Sequence, residues 1–124
     1  MVQGGPHRIL LVDSQPYQYR EQVLKAGNFL VTRVPSLAAA RASYQPQHFD
    51  LVLVVTDSLD GDPVNFCEEL KQQDGSQVVA LLSGPHVYFP HDSCPDDIIE
   101  NTDGPRHLIK RVTALIEPEP HFAD

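Results

Sequence analysis

Residues 50–55 read Asp-Leu-Val-Leu-Val-Val, and the five apolar side chains in a row leave no polar face. A strand wetted on one side alternates between apolar and polar residues. A strand without alternation is buried on both sides, as in a parallel sheet covered by helices. The same signature recurs in Ile9–Val12, which stops at Asp13, and in Val78–Leu82, which stops at Ser83-Gly84. Phe29–Val34 is a further strand, rich in β-formers at Phe29, Val31, Thr32 and Val34. Ile98-Ile99 marks a weaker fifth.

Helical signals fill the gaps. Ser14 is a fair cap and Pro16 sits near a first turn, which predicts a helix over Pro16–Ala26 with Gly27 as its stop. Ser36 caps a short Ala-rich helix reaching about Tyr44. Asp62-Pro63 reads as cap and first residue of a helix to about Gln73. Gly104-Pro105 opens a last helix with Leu108, Ile109, Val112, Leu115 and Ile116 on its apolar face. Strand and helix therefore alternate, which predicts a doubly wound α/β fold with right-handed connections. The expected strand order is the flavodoxin-like 2-1-3-4-5, with any site at the carboxyl ends of strands 1, 3 and 4. Residues 1–7 and 117–124 read as tails around one domain over 8–116, the second tail stiffened by Glu117-Pro118-Glu119-Pro120.

The 124 residues suit one domain, and two cysteines, Cys67 and Cys94, are too few for a disulfide framework. Both are expected as free thiols, with Cys67 buried and inert. No signal peptide or membrane span is visible, so a cytoplasmic location away from membranes is expected. The net charge of −8 argues against a surface that coats nucleic acid. The charge is lopsided: Met1–Phe49 holds five bases and two acids, Asp50–Asp124 four bases and fifteen acids.

Several segments together resemble the receiver domain of two-component response regulators. Arg8-Ile-Leu-Leu-Val-Asp13-Ser-Gln-Pro16 is similar to the family's first strand and acidic turn. Asp50–Val55 is similar to the strand that ends in the phosphoacceptor. Asp62–Lys71 follows the family's third helix without a gap, and Val79–Gly84 resembles the strand that ends in Thr or Ser. Pro95–Thr102 and Pro105–Leu115 resemble the last strand, its Lys-Pro end and the final helix. The resemblance implies a five-stranded receiver fold and a regulatory, non-enzymatic role in signalling.

It also implies a pocket, and here the residues depart from the pattern. Asp13 keeps the first of the three expected carboxylates. Ser14 stands at the second, Val55 at the phosphoacceptor and Asn101 at the lysine, with Thr102 at the following proline; Ser83 keeps its type. One carboxylate and one hydroxyl hold magnesium poorly, and a valine has no oxygen to phosphorylate. No cofactor and no metal are expected. Asp57, two residues past Val55, is the alternative, displaced phosphoacceptor, against a plain solvated loop acid. Phosphoryl transfer needs in-line placement against a clamped metal, which favours the plain reading. Asp57, Asp60 and Asp62 miss calcium-loop spacing. His86, His91, Asp92 and Cys94 are ligand types in one loop with no closed metal geometry to join them.

Seventeen residues separate Ser83 from Asn101, three prolines among them, which predicts a fourth helix shortened or replaced by a loop. The family's output surface lies on its fourth helix, fifth strand and last helix. The candidates for an interaction surface here are Tyr88, Phe89, Ile98, His107 and Arg111. The expectation is a pseudo-receiver that binds a protein partner. The acids of 50–103, twelve against the single base Lys71, would steer a basic one. An output domain downstream is also expected.

Overall fold

A computed structural model describes residues 7–15, 19–57, 59–83, 95–100 and 104–117. The elements are β1 (Arg8–Val12), α1 (Tyr19–Ala26), β2 (Leu30–Val34), α2 (Leu37–Ser43), β3 (Leu51–Val55), α3 (Pro63–Gln73), β4 (Val79–Ser83), β5 (Asp97–Glu100) and α4 (Pro105–Ile116). All strand pairs are parallel and their order is β2-β1-β3-β4-β5, as the alternation predicts. The fourth-helix expectation falls on 84–94, outside the described residues.

The unbroken apolar runs have the predicted consequence. Every residue of β3 and β4 is buried, because successive side chains enter opposite layers. Leu10, Val12, Val52, Val54, Val79 and Leu81 pack with Leu37, Phe66, Cys67 and Leu70 of α2 and α3. Ile9, Leu11, Leu51, Leu53, Val55, Ala80, Leu82 and Ile99 pack with Leu24, Leu108 and Val112 of α1 and α4. Each of these Val, Leu and Ile side chains contributes about 1.5–3 kcal/mol on burial. The sheet is therefore the rigid element on which any site is mounted. Cys67 is buried and in no disulfide, as expected.

Two helix starts follow the caps read from sequence, while the hydroxyl of Ser14, expected to cap the first helix, donates to the Asp57 carbonyl instead. The Ser36 hydroxyl accepts the Ala39 N–H at 3.0 Å, and the Asp62 carboxylate accepts the Val64 N–H at 2.9 Å. The close of α1 differs in mechanism from the prediction. The left-handed residue is Asn28, at φ 73°, and not Gly27. Gly27 is instead a place of close approach, since a Cβ there would lie 2.6 Å from Ile109 Cδ1 on α4. At the inner ends of the two expected tails, His7 Nε2 lies 2.6 Å from Glu117 Oε2 and Nδ1 3.4 Å from Asp50 Oδ2. This contact joins the start of β1 to the end of α4. Among the described residues no helix is long and apolar enough to cross a membrane.

Candidate functional site

The expected site lies at the carboxyl ends of β1, β3 and β4. Register brings Val12 beside Val54, and Val55 beside Leu82, so Asp13, Val55 and Ser83 all fall at this edge. Asp13 is 1% exposed and continues the α1-side parity of Ile9 and Leu11. Its backbone N–H still donates to the Val34 carbonyl at 2.9 Å, which extends the ladder one residue past the strand.

A buried carboxylate is tolerated only when paired and hydrogen-bonded. Here both oxygens are taken. Oδ1 accepts the Gln15 N–H at 3.0 Å, and Oδ2 accepts Arg20 Nη1 at 3.2 Å. Arg20 stands in the first turn of α1 with its side chain 14% exposed. Arg33, on β2, donates through Nη2 to the Gln15 carbonyl. The Ser14 hydroxyl donates to the Asp57 carbonyl at 2.9 Å, tying the β1–α1 turn to the β3–α3 loop. Val55 is fully buried in the α1–α4 layer. Ser83 is 1% exposed. Asn101 and Thr102 lie outside the described residues, as do Pro16, Tyr88, Phe89, His86, His91, Asp92 and Cys94.

This arrangement does not fit a divalent cation. Magnesium wants octahedral oxygen, usually from one or two free carboxylates. The one carboxylate is caged by a guanidinium and a backbone amide, Ser14 faces another loop, and Val55 offers no donor. Among the described residues no group of three His, Cys, Asp or Glu side chains could hold a metal. The structure brings Asp13, Ser14 and Val55 to one edge, together with Arg20 and Arg33, which sequence reasoning missed. The signal for Arg20 was its place in the first turn of a helix that starts beside Asp13.

The three loop acids have separate tasks. Asp57 is exposed and meets Ser14 through its backbone. Asp62 caps α3. Asp60 crosses to α2, where Oδ1 accepts the Leu37 N–H at 2.7 Å and Oδ2 the Ala38 N–H at 3.3 Å. Bonding to Leu37, more than anything else, holds the Asp60 carboxyl below its ordinary value. With Ser36 serving Ala39, the first three amides of α2 are all satisfied.

The acid-rich second half is committed inward. Asp50 accepts the Arg8 N–H, Glu69 pairs with Arg41, and Asp74 accepts the Ser76 N–H and hydroxyl. Asp96 takes both Lys71 Nζ at 2.7 Å and the Val79 N–H at 2.8 Å, and Asp97 pairs with Arg111. With Asp60 and Asp62, seven acids of 50–103 accept bonds within the chain. The charge facing a partner is thus smaller than the composition suggests. Of the expected interaction surface, Ile98 is half-buried against the α2–α3 layer, Arg111 is held by Asp97, and His107 is half-buried on α4.

With this geometry in view, the solved structures it resembles are receiver domains. The chain superposes on the non-phosphorylated HemR receiver domain of Leptospira biflexa with a TM-score of 0.76 and 18% identity, covering 94% of this chain and 99% of that one. A CheY-like receiver domain of Methanospirillum hungatei gives 0.75 and 17%, covering 91% and 95%. An orphan response regulator of H. pylori gives 0.70 and 21%, covering 91% and 98%. No protein-family model and no curated protein matches the sequence. The chain has the CheY-like receiver fold, and the likeness at these identities concerns the fold.

Proposed function

We propose that this chain is a pseudo-receiver, a phosphorylation-independent protein-interaction module of two-component-type signalling in the cytoplasm. One observation carries the reading. Val55, which takes the phosphoacceptor's place in the resemblance, is fully buried and has no oxygen to accept a phosphoryl group. The caged Asp13 adds to it, because a cation clamp needs carboxylate oxygens that are free. The module is non-catalytic, and its partner is a protein that meets the β5–α4 side. An output domain beyond α4 is part of this reading.

The test is incubation with acetyl phosphate and Mg²⁺, followed by intact mass and tryptic mapping. No mass gain is expected. A stoichiometric phosphoryl adduct overturns the proposal. If it maps to Asp57 and is abolished by Asp57→Asn, the displaced-acceptor reading takes its place.

A further inference from the structure

Arg20 and Arg33 reach the same short turn from two different elements. Arg20 comes from α1 and holds Asp13; Arg33 comes from β2 and holds the Gln15 carbonyl. Arg33 stands in register with Leu11, which belongs to the α1-side layer, so both arginines work on one side of the sheet. Each keeps a buried Nε–H without an acceptor among the described residues. Arg33 also has no carboxylate partner among them. The turn therefore holds two guanidiniums, Arg20 on the Asp13 carboxylate and Arg33 on the Gln15 carbonyl, with one carboxylate between them for charge among the described residues.

Both features are costly in a folded protein. An idle buried donor loses its desolvation energy, and more so when it is charged. A water molecule would satisfy the hydrogens but leave the excess positive charge. An oxyanion satisfies both. A carboxylate has two oxygens and serves one guanidinium fork; a tetrahedral phosphate has enough for two. The place is also apt, because ligands of doubly wound sheets bind outside the carboxyl ends of the strands.

We infer that Arg20, Arg33 and the Asp13–Gln15 turn form a binding site for a small phosphate-bearing ligand. Asp13 opposes the anion at Arg20, so Arg33 supplies the larger share of the attraction. Both Nε atoms are out of solvent contact, and binding proceeds with a rearrangement of the two side chains. This site goes beyond the signalling role: its failure would leave Val55 as unable as before to take a phosphoryl group.

The experiment is thermal melting of the full chain in inorganic phosphate, against chloride at matched ionic strength, with Arg33→Met alongside. The expected Tm rise is about 4–7 °C once phosphate exceeds its dissociation constant tenfold. In Arg33→Met the rise is lost, while its melting point without phosphate stays close to that of the parent, because the lost bond to the Gln15 carbonyl is offset by removal of a part-buried guanidinium that has no carboxylate partner among the described residues. The arginine Nε–Hε resonances of the parent shift with phosphate at the same midpoint. An equal rise in both proteins, or no rise in the parent, overturns the proposal, the second outcome meaning that water alone serves the two donors. An equal rise with acetate overturns the tetrahedral assignment.

Discussion

The two ends of the sheet treat buried polar groups in opposite ways. At the amino ends of the strands, Gln77 is 3% exposed and every hydrogen-bonding group of its side chain is used. Its Oε1 accepts the Tyr44 hydroxyl at 2.7 Å, and its Nε2 donates to the Phe49 carbonyl at 3.2 Å and the Val78 carbonyl at 3.1 Å. At the carboxyl ends, Asp13 is equally buried and equally bonded, yet Arg20 beside it and Arg33 at the same turn each keep an Nε–H without an acceptor among the described residues. The amino end is a finished structural network. The carboxyl end keeps unfilled polar capacity among the described residues, which is what separates a site from a core.

The largest test of this contrast is Asp13→Leu. It leaves Arg20 with a buried, uncompensated charge, and breaking such a pair costs about 3–5 kcal/mol. The double variant Asp13→Leu/Arg20→Met recovers most of that loss, since a buried pair replaced by apolar groups of similar volume is often neutral. Urea unfolding of the three proteins measures both steps. A single-variant loss below about 1 kcal/mol, the scale of exposed pairs, would show that the cage is absent in solution.

Gln77→Leu comes next, at about 2–3 kcal/mol, because it removes the partners of the Tyr44 hydroxyl and the Phe49 carbonyl, while the Val78 carbonyl keeps the Val52 N–H. The same network makes an alkaline prediction. Burial pushes the Tyr44 phenol up to about 12 from its ordinary 10. Below pH 10 both folded and unfolded chains keep the proton, so the stabilisation is fully present. Between 10 and about 12 only the unfolded chain releases it, and stability falls as the pH rises. Absorbance titration of phenolate, with Tyr44→Phe as reference, reads the late component. Its absence would place Tyr44 in water.

What was legible in the sequence follows the same division. The strands of the sheet were readable because apolar runs without alternation have one explanation, and the caps at Ser36 and Asp62 because short polar side chains before a helix have few other uses. That a valine, Val55, stands where the resemblance puts the phosphoacceptor was readable from the sequence alone. The cage was not, because Arg20 lies seven residues from Asp13 and Arg33 eighteen from Gln15, and they meet the turn only once α1 and β2 are in place. The inward commitment of the acids was hidden for the same reason: Asp96 meets Lys71, and Asp60 meets Leu37, across two different crossovers. Composition counts charges but carries no information on which of them the fold pairs.

Helix caps provide smaller effects that sharpen the comparison, since they lie outside both polar networks. Asp62→Ala removes the acceptor of the Val64 N–H and costs about 1 kcal/mol. Because α3 packs on the opposite layer of the sheet from the Asp13 side chain, this loss adds to that of Asp13→Leu within a few tenths of a kcal/mol. Coupling beyond that, in a double-variant cycle, would mean that the β3–α3 loop transmits strain to the caged carboxylate through the Ser14–Asp57 bond.

The smallest effect is acid sensitivity of the loop clamp. Asp60 is held below its ordinary value by the Leu37 N–H first, with Ala38 and Arg41 adding to it. A carboxyl lowered in the folded state stabilises above its unfolded value, and that contribution is lost as the pH falls through the lower, folded value. Glu69 and Asp74 are lowered too, by Arg41 and by Ser76, so both add to the acid sensitivity. Carboxyl carbon NMR separates them, and Asp60 is expected to titrate below a model aspartate. Asp60→Asn removes that component and leaves the other two in place. If Asp60 instead titrates at the ordinary value, the β3–α3 loop is free of α2. The carboxyl end of the sheet would then be open on that flank, and the contrast with the closed amino end would widen.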